Sequence, residues 1–232
     1  MRLELLSTFI LCGPLAVAGC ASPAATKAYD PVIDPAHFGR TVDNPYFPLV
    51  PGTTWRYRVN GDDGSEDVAV TVTDSTRVVM GVTCVVVHDV SSSDGKVKED
   101  TWDWYAQDAD GNVWYFGEDT KSYERGRVST EGSWESGVNG AKPGIIMAAH
   151  PKAGATYRQE FLDGEAEDMS EILAVGETVT VAAGTFRGCV KTKEWTPLEP
   201  DVVEHKYFAP GVGTVLTVKV AGGLEREEFV GR

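Results

Sequence analysis

Histidine and cysteine are scarce in this 232-residue chain, with four of each against 25 glycines and 12 prolines. The histidines stand at 37, 88, 150 and 205, and no two share a metal-ligand spacing. His-Glu-x-x-His is absent, as are Gly-x-Ser-x-Gly, a phosphate-cradling Gly-Lys-Ser/Thr and Cys-x-x-Cys. These gaps disfavour a metallohydrolase or a serine hydrolase, although triads can assemble from distant positions. No cofactor is expected. Basic residues are also few: 21 Lys and Arg face 35 Asp and Glu, a formal net charge of −14. A surface of that sign repels nucleic acid, so no nucleic-acid partner is expected. Nor is there a long hydrophobic run. The apolar stretch Leu5–Val17, preceded by Arg2 and interrupted by Pro14, is too short to cross a bilayer and reads as an export signal.

That stretch ends in Val17-Ala18-Gly19-Cys20, which resembles the lipobox of bacterial lipoproteins. The resemblance implies cleavage before Cys20 and diacylglycerol on its thiol. Each buried lipid CH₂ contributes roughly 0.8 kcal/mol, so two or three acyl chains anchor a protein stably. The alternative is an ordinary signal peptide that happens to carry a cysteine, which would leave a reactive thiol at a secreted N-terminus. The chain is therefore expected to be exported and held on the periplasmic or extracellular side of a membrane. Ala21, rather than Asp, after the cysteine implies the outer membrane in a Gram-negative cell. Residues 1–19 form the signal and 20–43, rich in Ala, Pro and Asp, read as a flexible tether. A single β-domain is expected over 44–232.

Within that domain apolar and polar residues alternate with period two. Trp55, Tyr57 and Val59 alternate with Arg56 and Arg58, and Val68, Val70 and Val72 with Ala69, Thr71 and Thr73. This pattern marks strands that bury one face. Landmarks then recur at an almost fixed offset: Trp55 with Tyr157, Gly81 with Gly184, Tyr105 with Phe208, and "GSEDV" with "EAEDM". A near-constant spacing of this kind reads as internal duplication. The expected units, 51–118 and 153–221, hold five strands each, at 53–60, 67–79, 82–91, 99–107 and 112–117, then 155–162, 167–175, 178–193, 202–209 and 214–221. The fold is expected to be all-β, an antiparallel barrel or half-barrel of about ten strands, with a sandwich as the alternative. The insertion 119–152 is expected to hold a hairpin and a loop whose "GIIMAA" run either packs under the barrel end or serves as a lid.

Four groups of residues could carry function. Asp108, Asp110, Asn112 and Asp119 fall at positions 1, 3, 5 and 12 of a calcium loop, yet Val113 stands where such a loop needs glycine, and Asp110-Gly111 is a hairpin-turn signal. Trp102 and Trp104, with Asp100, Asp103, Glu118 and Asp119 nearby, could stack and hydrolyse a glycan, or could simply point inward as core while Asp103 and Tyr105 face out. His205 and Tyr207 occupy the places of Trp102 and Trp104 in the second unit and are expected on the same inward face, with Glu204 and Lys206 outside. Cys84 and Cys189 could pair outside the cytoplasm or remain free.

"NPYFPLVPGTTWRYR", "DWYAQDADGNVWYFGEDT" and "KPGIIM" resemble an uncharacterised family of bacterial secreted and lipid-anchored proteins. The resemblance covers about 44 to 230, implies no activity and carries no functional residues over. At fold level the pattern is also similar to the half-barrels that carry or receive lipoproteins. The expected function is non-catalytic binding of a small molecule, a glycan or an envelope protein. A glycan-acting enzyme using a carboxylate pair and an acidic calcium-binding module are the alternatives.

Overall fold

The structure, a computed structural model, describes residues 29–62, 64–124 and 126–232. The export signal and Cys20 lie outside the described residues. The alternating segments form an all-β antiparallel fold, a single sheet of fifteen strands among the described residues. A first meander runs through β1 (Thr54–Gly61), β2 (Gly64–Val79), β3 (Val82–Ser93), β4 (Lys96–Gln107) and β5 (Val113–Glu124). Short strands follow: β6 (Arg127–Ser129), β7 (Trp134–Glu135), β8 (Lys142–Met147), β9 (Thr156–Arg158) and β10 (Glu160–Phe161). A second meander holds β11 (Met169–Val181), β12 (Gly184–Trp195), β13 (Val203–Ala209), β14 (Gly213–Ala221) and β15 (Glu225–Gly231).

The count exceeds ten for an identifiable reason. β6, β7, β9 and β10 are too brief for two full periods of alternation, β8 (KPGIIM) does not alternate, and β15 hides because its alternate residues Glu225 and Glu227 look like surface. β15 nevertheless joins the halves, pairing β14 on one side and β1 on the other, with Tyr57 opposite Phe229. The order runs β10-β8-β5-β4-β3-β2-β1-β15-β14-β13-β12-β11-β9. The ladder does not close into a barrel, yet its first and last strands are successive pieces of chain joined by Gln159 alone. Continuity of the chain therefore curls the sheet until its ends meet at that residue. The meeting is close: a Cβ on Gly144 of β8 would lie 2.3 Å from the carbonyl carbon of Gln159. The "GIIMAA" run is thus mostly strand, with Met147 opposite Val113 and fully buried.

Around β3, β4 and β5 the sheet is covered on both faces, and this overturns the expected orientation. On β4, Asp103 and Tyr105 point into the curl of the sheet with Val85 and Val87 of β3. Trp104 and Ala106 point outward into a second cluster with Cys84, Val86 and Phe116. Ile33 and Phe38 of the lead-in chain close over that cluster, and Arg77 stacks on Trp104 with its guanidinium carbon 3.9 Å from the ring centre. The lead-in thus packs from Tyr29 onward, where tether is expected: Tyr29 Oη donates to the Pro143 carbonyl at 2.8 Å. The same inversion holds on β13, where Lys206 and Phe208 face the curl while His205 and Tyr207 face outward beside Lys193 and Lys191.

Candidate functional site

Because the inward positions include charged residues, the curl is not filled solidly. It encloses a cavity of about 230 Å³. Its apolar wall is set by Phe47, Leu49, Val70, Ile146 and Phe208, and its polar wall by Asp89, Gln159, Glu194, Lys206, Thr217 and Glu227. The polar residues come from β3, the β9–β10 junction, β12, β13, β14 and β15, so the site exists only because the sheet curls. Trp55 and Tyr57 of β1 complete it.

Charge is handled differently around the wall. Lys206 Nζ lies 2.8 Å from Glu194 Oε2 and 4.0 Å from Glu204 Oε2. Burial opposes its charge, but the two glutamates outweigh burial and hold the ammonium well above the usual lysine range. Thr192 Oγ1 donates to the other oxygen of Glu194 at 2.9 Å. Asp89 has no such cation. Burial, then the charges of Glu227, Glu99 and Glu118, push its carboxyl up to about 7. Burial also raises Glu227, against the bond donated by Thr217 Oγ1 at 2.9 Å.

Behind the cavity lies a sealed acidic knot. Tyr115 Oη sits 2.7 Å from Asp103 Oδ1 and 3.0 Å from Glu118 Oε2, linking the two carboxyls through one hydroxyl. Burial and the neighbouring Glu118 raise Asp103 well above the carboxylate range. Burial lifts Glu118 to about 7 and, with Asp168 and Glu118, Glu160 to about 8. A carboxylate pair for glycoside hydrolysis needs access to substrate. Asp103 is 8% exposed, and neither Asp103 nor Glu118 lines the cavity. Asp100 and Asp119 sit apart from this pair on the opposite face of their strands: Asp100 Oδ1 meets the His88 ring at 2.8 Å, and Asp119 stands opposite Trp102.

Two donors in the cavity wall are left over. Trp55 and Gln159 are 4% and 3% exposed. The Trp55 indole N–H and the Gln159 carboxamide N–H₂ find no hydrogen-bond partner among the described residues. Both nitrogens are themselves closed off from solvent and cavity alike, so they are buried donors without a partner, which is uncommon.

The remaining candidates separate. Trp102 stacks on His88 at 3.9 Å between ring centres, and Trp104 is core of the outer cluster, so neither meets His205 or Tyr207 in one site. Burial and the nearby Lys191 and Lys193 lower the His205 pKa, which keeps its imidazole neutral. Asp108 is the hub of its turn: Oδ1 accepts from Asn112 N at 2.8 Å, and Oδ2 from Asn112 Nδ2 and Trp114 Nε1 at 2.9 and 2.8 Å. Asp110 turns to His37 at 3.4 Å, and Asp119 to Lys121 at 3.9 Å. Among the described residues no three His, Cys, Asp or Glu side chains gather to hold a metal ion. Cys84 and Cys189 are free rather than bonded, because they lie in different clusters, and burial pushes the Cys84 thiol up to about 12.

Asp89, Lys206 and Glu227 escape sequence reasoning because charged residues at alternating positions look like solvent face.

No protein-family profile matches the chain, and no curated protein matches it. Two solved structures are similar to it at low level. A Bacteroides fragilis protein, described as exported and of YmcC-like fold, shares 15% identity over 80% of this chain and 97% of its own, with a TM-score of 0.48. A Parabacteroides distasonis protein, described as a lipoprotein, shares 15% identity over 80% of this chain and 96% of its own, with a TM-score of 0.47.

Proposed function

We propose that this chain is an exported, lipid-anchored β-domain that binds a small molecule inside its curled sheet without transforming it. The observation that carries the reading is the concave cavity inside the curl, with an apolar wall facing a polar one. Small-molecule sites are concave and combine apolar contact with polar groups that fix orientation, and this cavity offers both, with more polar groups than usual. Its volume, about 230 Å³, is roughly half as large again as the ~150 Å³ that admits benzene. One ring with short polar substituents fits; a glycan chain or an envelope protein does not enter.

The anchor rests on Val17–Cys20, and residues 51–118 and 153–221 are read as copies of one unit. Support for duplication is that an offset of 103 sets Asp103 against Lys206 and Tyr105 against Phe208, all four on the curl side.

Ligand-detected NMR with ring-sized compounds tests binding: several should bind the wild type and lose contact in Val212→Trp, which fills the cavity. No binder among ring-sized compounds of any charge refutes the reading. Cys20→Ser tests the anchor separately, by moving the protein from the membrane to the soluble fraction; retention in the membrane refutes it.

A further inference from the structure

The binding reading leaves open which chemistry the cavity selects, and the distribution of charge around its wall decides this. Lys206 is already engaged by Glu194 and Glu204 and has little left for an anion. Asp89 and Glu227 are wall carboxyls with no ion-pair cation among the described residues; only acids act on Asp89, whereas Glu227 feels Lys206 first and then two acids. Glu99 of β4, Glu118 of β5 and Glu227 of β15 act on Asp89. Glu204 of β13 and Glu225 of β15 act on Glu227, against Lys206 of β13. The phenol of Tyr57, beside both, donates to the Thr214 carbonyl at 3.2 Å and so is turned away from them. Aromatic faces of Phe47, Trp55, Tyr57 and Tyr105 surround this uncompensated acidity. Carboxylates framed by aromatic rings are the environment that an ammonium group prefers.

Resting on the binding reading above, we infer that the cavity takes a small organic cation, a ring-sized amine that carries one ammonium group. The ammonium sits against Asp89 and Glu227, and the ring lies between the aromatic walls. Entry of the cation favours the ionised form of both carboxyls, so binding expels protons to the buffer.

Tyramine is the probe, with tyrosol as its neutral and hydroxyphenylacetate as its anionic counterpart; the three share ring and hydroxyl. Calorimetry in buffers of different ionisation enthalpy should show tyramine binding with proton release and at least tenfold tighter than tyrosol. Because the Asp89 carboxyl titrates at about 7, affinity should rise about tenfold between about pH 6 and about pH 8. Asp89→Asn and Glu227→Gln should each weaken tyramine and leave tyrosol unchanged. If tyrosol or hydroxyphenylacetate binds as tightly as tyramine, or if tyramine affinity is flat with pH, the cation selectivity is wrong while the cavity remains a binding site. If none of the three binds at millimolar concentration while other ring-sized compounds do, only the cation assignment falls; if nothing ring-sized binds, both fall.

Discussion

The two meanders place charge on the same inward face and keep it there by different means. In the first, Asp103 and Glu118 share the hydroxyl of Tyr115, and burial favours their neutral forms. In the second, Lys206 and Glu194 stay ionised as a pair 2.8 Å apart. A buried charge is tolerated when it is neutralised by a proton or by a partner. One sheet therefore shows both solutions side by side, and the cavity lies where the two regimes meet. Asp89 and Glu227, between them, have neither a firm proton nor a cation.

Outward packing offers the strongest way to break the contrast. If Trp104 is core beneath the lead-in chain and not a ligand platform, Trp104→Ala should cost about 4 kcal/mol in chemical denaturation and leave cavity binding intact. Next comes the ion pair. Lys206→Met strands the Glu194 carboxylate, which is 8% exposed, and should cost about 3 kcal/mol, most of it recovered by adding Glu194→Leu. The pH dependence follows in size. Burial raises Asp89 and Glu118 to about 7 and Glu160 to about 8, so the folded chain holds protons that the unfolded chain has released. Stability should thus be greatest near about pH 4 to 5 and fall by about 2 kcal/mol or more as pH rises through the range 7 to 8. A protein that gains stability over that rise would refute the assignment. Asp103→Asn should cost less than about 1 kcal/mol at neutral pH, because a neutral amide replaces a neutral carboxyl and still accepts from Tyr115. Smallest of all, His205→Ala should change stability by no more than about 0.5 kcal/mol and not affect ligand binding.

Sequence alternation made the strands legible, since Trp55-Arg56-Tyr57-Arg58 can scarcely be read otherwise. It could not say which face is inside. On β4 the indoles of Trp102 and Trp104 outweigh Asp103 and Tyr105 in hydrophobicity, so local pattern assigns them to the core. The lead-in chain from Tyr29 to Phe38 makes that assignment true of the wrong side, by roofing the outer face. β13 repeats the inversion with His205 and Tyr207 outside and Lys206 within. Bulges add to the difficulty: the β11–β12 ladder shifts register three times, and each shift resets the parity that sequence reading relies on. The cavity was not legible as a site: the aromatics singled out, Trp102, Trp104 and Tyr207, do not line it, and Trp55 and Tyr57 were readable only as residues that bury one strand face. Its acids and its lysine become neighbours through a curl closed by Gln159 and Gly144, residues far along the chain from Trp55 and Asp89.

The account stands on inward-facing carboxyls that hold their protons near neutrality. Carbon-detected NMR titration of the Asp and Glu side chains reads this directly. Asp89 and Glu118 should titrate near 7 and Glu160 near 8. Midpoints close to the ordinary value of about 4 for all three would mean that these groups face water and that the interior described here is wrong.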